Sequence, residues 1–318
     1  PAKGECAIQT EPTPECTAGH ILCRTLYSGL TNGTERNFLT GGNYSGQSWP
    51  NRCGYQTVGE VIEVGAGVRD YAVGDVVYSG NFHQHVQYFA ADVSQPDEPG
   101  NLVMKLPGDF PANQAALLGV ASVGMHDVRR IDVRLGERVL VVGAGLIGQF
   151  TAQAARACGA IVTVIDLDED RLKLASQLGA HAVMRTTGAD DWQRLREKQG
   201  PFDAVLEDSG APVFDDMIGR TFGQGVLTCK ARIAVIAGRD RVDYSFNAAQ
   251  GAELEIRHAG HFDRSDLAQV IRLAAQGVIQ IEPLIQDVVP ALQAAGVYEK
   301  LRDQPQSLLG TVFDWSEV

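Results

Sequence analysis

Two textures of apolar and polar positions follow one another along this chain. From Ala7 to about Asp92 the apolar runs are short, as in "HILCRTLYSG", "VGEVIEVGAGV", "GDVVYSG" and "HVQYFAAD", with glycine and proline between them. Such runs predict strands joined by turns, an irregular β-rich region. "ADVSQPDEPGN" reads as a loop, and "PANQAALLGVASVGMHDVRR" takes up a helical period after a proline suited to a first helical position. Then the pattern changes. "RVLVVGAG", "IVTVIDLD", "FDAVLEDSG", "ARIAVIAGR" and "LEIRHAG" are strand-like, and the first three are separated by helical segments such as the Ala-rich "LIGQFTAQAARACGA" and the amphipathic "EDRLKLASQLGA". Near-continuous apolar strands alternating with helices predict a parallel sheet covered on both faces, the doubly wound α/β class. After Phe262 come a helix, "RSDLAQVIRLAAQGVI", and two strand-like runs, "IEPLIQDVV" and "LLGTVFDW". We therefore divide the chain at 1–112, 113–262 and 263–318, the last segment returning to the first domain.

A length of 318 residues agrees with two domains rather than one core. The formal charge of −12 argues against a nucleic-acid partner, because phosphate binding needs a basic field. The N-terminus shows no basic-then-apolar leader, and no apolar run approaches the roughly 20 residues that cross a bilayer. The expectation is a cytoplasmic protein without a membrane partner; because the chain opens on Pro1 rather than Met, a preceding segment stays open. The six cysteines (Cys6, Cys16, Cys23, Cys53, Cys158, Cys229) form no C-x-x-C pair, so reduced thiols are expected and no structural zinc lobe.

The strongest chemical signal is "VLVVGAGLIGQF", which places Gly143, Gly145 and Gly148 as G-x-G-x-x-G between a strand and a helix opened by Leu146 and Ile147. An acidic residue, Asp166, closes the next strand roughly 20 residues on, as a dinucleotide fingerprint requires. In this reading Gly143 permits the tight turn, Gly145 lets the backbone approach a pyrophosphate, and Gly148 lets the helix pack on the strand. The helix N-terminus supplies N–H groups for the phosphates. Asp166 would accept the ribose hydroxyls. A carboxylate about 4 Å from a 2′-phosphate is repelled by roughly 1 kcal/mol in water and about 4 at an effective dielectric of 20. NAD is expected over NADP unless Arg171 compensates.

A β-rich segment first, a nucleotide-binding domain second and a short return last resembles the medium-chain, alcohol dehydrogenase-like superfamily. The carriers are "SGLTNGTE", "GYQTVGEVIEVGAGV", "VGDVV", "HVQYFAAD", "LGERVLVVGAGLIG" and "IEPLIQDVV". The resemblance implies a GroES-like catalytic domain interrupted by a Rossmann domain, with the cofactor in the cleft between them. Where zinc-dependent members carry Cys-Gly-Thr-Asp and Gly-His-Glu, this chain has Asn32-Gly33-Thr34-Glu35 and Gly54-Tyr55-Gln56, and "LLGVASVG" offers no third ligand. Tetrahedral zinc catalysis wants three protein ligands and an open position. The chain is thus similar to a zinc-independent branch, including bacteriochlorophyllide-type dehydrogenases and some secondary-alcohol or cyclitol oxidoreductases. Cys53, His83 and His85 are the other ligand-type residues nearby, the two histidines sharing a face if their segment is a strand.

Without a metal, side chains must stabilise and protonate the oxygen left by hydride transfer. The resemblance points the hydroxyl of Tyr55 and the amide of Asn32 at that oxygen, makes Thr34 a relay, and lets Glu35 or His85 complete a path to water. It also assigns Ser209 and the Ile236-Ala237-Gly238 backbone to the cofactor. Each role has a plainer counterpart. Tyr55 serves equally as packing, Glu35 as the partner of Arg36 or another cation, and His85 as a polar residue on a strand; His258 and His261 stand as bystanders. The leading function is an NAD-dependent secondary-alcohol oxidoreductase acting on a small polar substrate. A quinone or enoyl reductase and a non-catalytic nucleotide-binding relative are the other classes. "LEIRHAG" as an edge strand would support a homodimer.

Overall fold

The structure is a computed structural model that describes residues 2–42, 49–82 and 84–318. The chain forms two compact units, 1–120 with 263–318, and 121–262.

The first unit opens with β1 (His20–Gly29), α1 (Asn32–Thr40), β2 (Thr57–Val64), β3 (Val76–Ser79), β4 (Tyr88–Asp92), β5 (Val103–Lys105) and α2 (Ala112–Ala115). Strand β1 pairs antiparallel with both β2 and β4, and its inward positions Ile21 and Cys23 pack with Val61, Val77 and Phe89. The stretch "SGLTNGTER", Gly- and Thr-rich enough to suggest a loop, is helical from Asn32. Thr31 stands in extended conformation before it, and its N–H is taken by Glu35 Oε1 at 2.8 Å, so a side chain inside the first turns fastens the helix start. Strand β4 begins at Tyr88, so His85 lies in the preceding connection and not on a strand. The helix expected across 112–130 is two pieces, because Leu117 N–H turns back to Gln114 O between α2 and α3 (Leu118–Arg130).

The second unit holds β6 (Arg138–Val142), α4 (Leu146–Ala157), β7 (Ile161–Asp166), α5 (Glu169–Gln177), β8 (Ala182–Arg185), α6 (Ala189–Lys198), β9 (Phe202–Glu207), α7 (Phe214–Ile218), β10 (Leu227–Val235), α8 (Phe246–Gly251) and β11 (Glu255–His258). All pairings are parallel, in the order β11-β10-β9-β6-β7-β8. The order reverses between β6 and β9, which is the doubly wound Rossmann arrangement, and ligands of such sheets bind outside the carboxyl ends of strands at that reversal. Leu140, Val205 and Ile233 of three neighbouring strands meet Trp192, Leu195, Phe214 and Met217 from the flanking helices.

The chain then returns to the first unit through α9 (Arg264–Ala275), β12 (Ile285–Pro290), α10 (Ala294–Asp303) and β13 (Gly310–Asp314). These strands complete a seven-stranded sheet in the order β12-β13-β1-β2-β3-β5, with β4 also on β1. Tyr298 and Leu301 of α10 and Phe313 of β13 close a second core around Leu30 and Leu39.

Candidate active site

In the second unit, β6 ends in the turn that the glycines were expected to make. Gly143 has φ of 101°, in the left-handed region, and a Cβ on Gly148 would stand 1.9 Å from Gly143 O, so these two positions admit only glycine. Gly145 differs: a Cβ there would meet nothing within 4 Å. The middle glycine faces open space, and α4 begins behind it with no side chain capping its N–H groups, an arrangement that suits an anion. Leu146 is buried and Ile147 half-buried, anchoring the helix start. Asp166 closes β7; its Oδ2 accepts Ala144 N–H at 2.6 Å and its Oδ1 accepts Asp168 N–H at 2.9 Å. The carboxylate thus holds the glycine turn in place and keeps further lone pairs on each oxygen. Arg171 Nε lies 4.0 Å from Asp168 Oδ2, the acid that caps its helix.

The adjoining loops are set by a residue that the sequence reading passed over. Glu207, fully buried at the end of β9, accepts the N–H groups of Ser209 and Gly210, each at 3.1 Å, the Ser209 hydroxyl, and the guanidinium of Arg239. Arg239 also reaches Ala237 O and Ala211 O and lies over Phe214. One ion pair therefore ties the loop carrying Ser209 to the loop carrying Ile236, Ala237 and Gly238. Sequence reading had one available signal, an acid at a strand end of otherwise apolar texture. His258 offers its carbonyl to Arg130, and the His261 ring packs tilted against Phe262, centroids 4.4 Å apart.

In the first unit, a chain of side chains runs through the protein interior. Trp315 Nε1 donates to Ser28 Oγ at 2.9 Å, and Ser28 Oγ lies 2.8 Å from His85 Nδ1. The opposite ring nitrogen, Nε2, is the one placed to donate to a carboxylate. That nitrogen faces Glu35 at 3.1 Å. Glu35 is buried to 1% and also accepts the Tyr298 hydroxyl and Thr31 N–H. It pairs with His85 and Tyr298 rather than with Arg36. Surrounded by three donors, it anchors α1, α10 and the segment before β4. Burial drives the Tyr298 hydroxyl well above its ordinary range, so it remains a donor.

The other expected residues take varied positions. Asn32 gives its amide hydrogens to Leu308 O at 3.0 Å and Leu309 O at 3.1 Å, while its buried Oδ1 has no hydrogen-bond donor; its N–H groups fasten α1 to the return segment instead of addressing a substrate. Gln56, fully buried, accepts Val120 N–H at 2.8 Å and donates toward Gly29 O and Thr31 Oγ1, a brace for the chain entering α3. Thr34 is half-buried in the first turn of α1. Tyr55 is 4% exposed, with its carbonyl bonded by Tyr78 and its ring 5.4 Å from the exposed Phe82. It follows Gly54, whose φ is 94° and where a Cβ would stand 2.7 Å from the His85 ring. The anchored histidine thereby packs directly on the turn that presents Tyr55.

Of the ligand-type residues considered nearby, His83 lies outside the described residues. Burial and the Glu35 charge push the Cys53 thiol up to about 12, which opposes the thiolate a metal needs. Among the described residues of this unit no three His, Cys, Asp or Glu side chains bring ligand atoms together. No helix among them is long and apolar enough to cross a membrane.

Comparison with known proteins matches residues 17–106 to the alcohol dehydrogenase GroES-like domain and 147–276 to the zinc-binding dehydrogenase domain. The chain is 27% identical over 322 residues to 2-dehydro-3-deoxy-L-galactonate 5-dehydrogenase of Pseudoalteromonas atlantica, covering 93% of this chain and 92% of that protein. It is 30% identical over 264 residues to L-threonine 3-dehydrogenase of Deinococcus deserti, 74% of each. An alcohol dehydrogenase of Escherichia coli, solved with NADH, has the same fold at a TM-score of 0.85 and 17% identity over 99% of this chain and 97% of that one.

Proposed function

The chain belongs to the medium-chain, alcohol dehydrogenase-like superfamily of oxidoreductases, and on that premise we propose that it is an NAD-dependent, zinc-independent dehydrogenase of a secondary alcohol on a small polyhydroxylated or amino-acid-like compound. The observation that carries the cofactor half is the open space in front of Gly145 beside an uncapped helix start, a cradle that a single Cβ would intrude upon. The nicotinamide dinucleotide supplies hydride transfer. The chain's residues bind and orient it: N–H groups of Leu146 and Ile147 face the pyrophosphate, Asp166 receives ribose hydroxyls, and the loops tied by Glu207 and Arg239 offer backbone groups to the other end. The Asp166 charge opposes a 2′-phosphate, and its neighbour Arg171 already faces Asp168.

Zinc independence is supported by donor chemistry. Tyr55 and Asn32 stand at the positions matching zinc ligands; the amide of Asn32 is bound to backbone carbonyls, and a phenol is a poor ligand for zinc. We assign Tyr55 the proton transfer at the substrate oxygen, with Thr34 as relay and Ser28, His85 and Glu35 as the fixed support on which the Gly54-Tyr55 turn rests. The exposed edge strand β11 suits pairing with a second copy. Metal analysis of the purified protein together with NAD and NADP titrations tests this reading. Substoichiometric zinc and tighter NAD binding are expected; one zinc per chain would remove the metal-free mechanism, and tighter NADP binding would remove the role of Asp166.

A further inference from the structure

Behind the glycine turn lie two acids that the proposed reaction does not use. Asp127 of α3 is fully buried, and Asp208 follows β9 with both carboxyl oxygens shut off from solvent. Hydrogen-bond geometry gives none of the four oxygens a donor, while Asp127 and Asp208 lie near enough to act on each other and the Thr151 hydroxyl near enough to act on Asp208. Packing explains the encounter. Gly124, one turn before Asp127, leaves room for α4, since a Cβ there would stand 2.7 Å from Thr151 N. Asp208 N–H is held by Val142 O at the end of β6, and a Cβ on Gly148 would stand 3.5 Å from Asp208 Oδ2. The pair therefore sits just under the first turn of α4.

Two ionised carboxylates in contact, buried and without a cation, repel strongly; a proton between them converts the contact into a hydrogen bond. The charges around them do not change that. Glu207, the last residue of β9, adds repulsion and is occupied by Arg239. On α3, Arg130 reaches His258 O, and His126 acts on His261. Arg156, at the far end of α4, packs on Gly179. Burial lifts Asp208 to about 7 and Asp127 well above the carboxylate range. In acid the pair holds two protons, and near neutrality it becomes a monoanion sharing one.

We propose that Asp127 and Asp208 form a proton-sharing pair beneath the glycine turn whose ionisation places a negative charge behind the pyrophosphate site and weakens dinucleotide binding. This rests on reading the turn as the dinucleotide site. The pyrophosphate diester keeps a constant charge between pH 6 and 8, so a pH dependence there reports the protein. Calorimetric titration with NAD should show affinity falling by about threefold to tenfold over that range. Asp208→Asn should hold the tighter value at every pH, because the remaining acid stays neutral. Asp127→Asn should hold the weaker value, because its amide donates to a permanent Asp208 carboxylate. A flat wild-type profile, or a fall that survives in Asp208→Asn, overturns the proposal.

A second readout separates the pair from the site. Urea unfolding without cofactor, followed from pH 4 to 7, should show wild-type stability declining as pH rises; Asp208→Asn should lessen the slope by one proton and Asp127→Asn, in which Asp208 stays ionised, by two. Should NAD fail to bind at any pH while the slope changes as stated, the reading of the turn falls and takes the coupling with it, but the pair stands. An unchanged slope in both variants overturns the pair itself.

Discussion

At the scale of single residues, the division of labour in the first unit turns on saturation. Glu35 accepts three donors and sits at 1% exposure, so it has little capacity left to shuttle protons and much to lose if removed. Glu35→Ala leaves Thr31 N–H, His85 and Tyr298 without their acceptor, and chemical unfolding should register a loss of about 3 to 5 kcal/mol. Tyr298→Phe removes one of the three and should cost about 1 to 2 kcal/mol. A smaller loss in the first variant than in the second would contradict the anchor. Tyr55→Phe acts elsewhere: turnover should fall at least roughly tenfold while NAD affinity holds, measured by kcat and by direct titration. Unchanged turnover would take the phenol out of the mechanism. Tyr55 and Glu35 were both visible in the sequence as polar residues at matching motif positions. The hydroxyl partner of Glu35 was not, because Tyr298 stands 263 residues further along the chain, and no local pattern announces which of many hydroxyls will face a buried acid.

At the scale of elements, the strand–turn–helix of β6 and α4 was legible because its constraint is local. A positive φ at Gly143 and the contact between Gly148 and Gly143 O both arise within six residues, so the spacing itself encodes them. The same geometry separates the glycines experimentally. Gly148→Ala drives a methyl into a backbone oxygen 1.9 Å away and should fold poorly or lose several kcal/mol, roughly the range for severe overpacking. Gly145→Ala meets nothing in the protein, so its unfolding midpoint should match the wild type while NAD binding weakens by tenfold or more, about 1.4 kcal/mol. If Gly145→Ala binds NAD as before, the turn does not approach the dinucleotide as proposed. Helices α6, α7, α8 and α10 were not assigned in advance. They are short or polar, and α7 has five residues, so their helicity follows from docking on the sheet or on a neighbouring core rather than from a period that the chain displays alone. The run "SGLTNGTER" shows the converse: its glycines and threonines favour a turn, and a bond donated by Thr31 N–H to the Glu35 carboxylate holds the helix start.

At the scale of the molecule, buried titratable groups of the second unit set opposing demands on pH. Burial and the nearby His126 lower His261 to about 4, so the folded state keeps it neutral while an unfolded histidine binds a proton below about 6.5. Its contribution is therefore complete above about pH 6.5 and is lost as pH falls to about 4, amounting to roughly 3 kcal/mol. The carboxyl pair has the opposite sign: raised values make its contribution complete below about pH 4 and lost as pH rises through about 7. Between pH 4 and 6.5 unfolding thus releases two carboxyl protons and takes up one on the histidine. The net is about one proton, a decline near 1.4 kcal/mol per pH unit as pH rises. Replacing the histidine removes the compensating uptake. His261→Gln should accordingly double the slope of unfolding free energy against pH in that window and leave the slope above pH 7 as it was. Urea denaturation of both proteins at half-unit steps from pH 4.5 to 8 measures it; parallel curves below pH 6.5 would mean that His261 is charged in the folded protein and that the opposing balance does not exist.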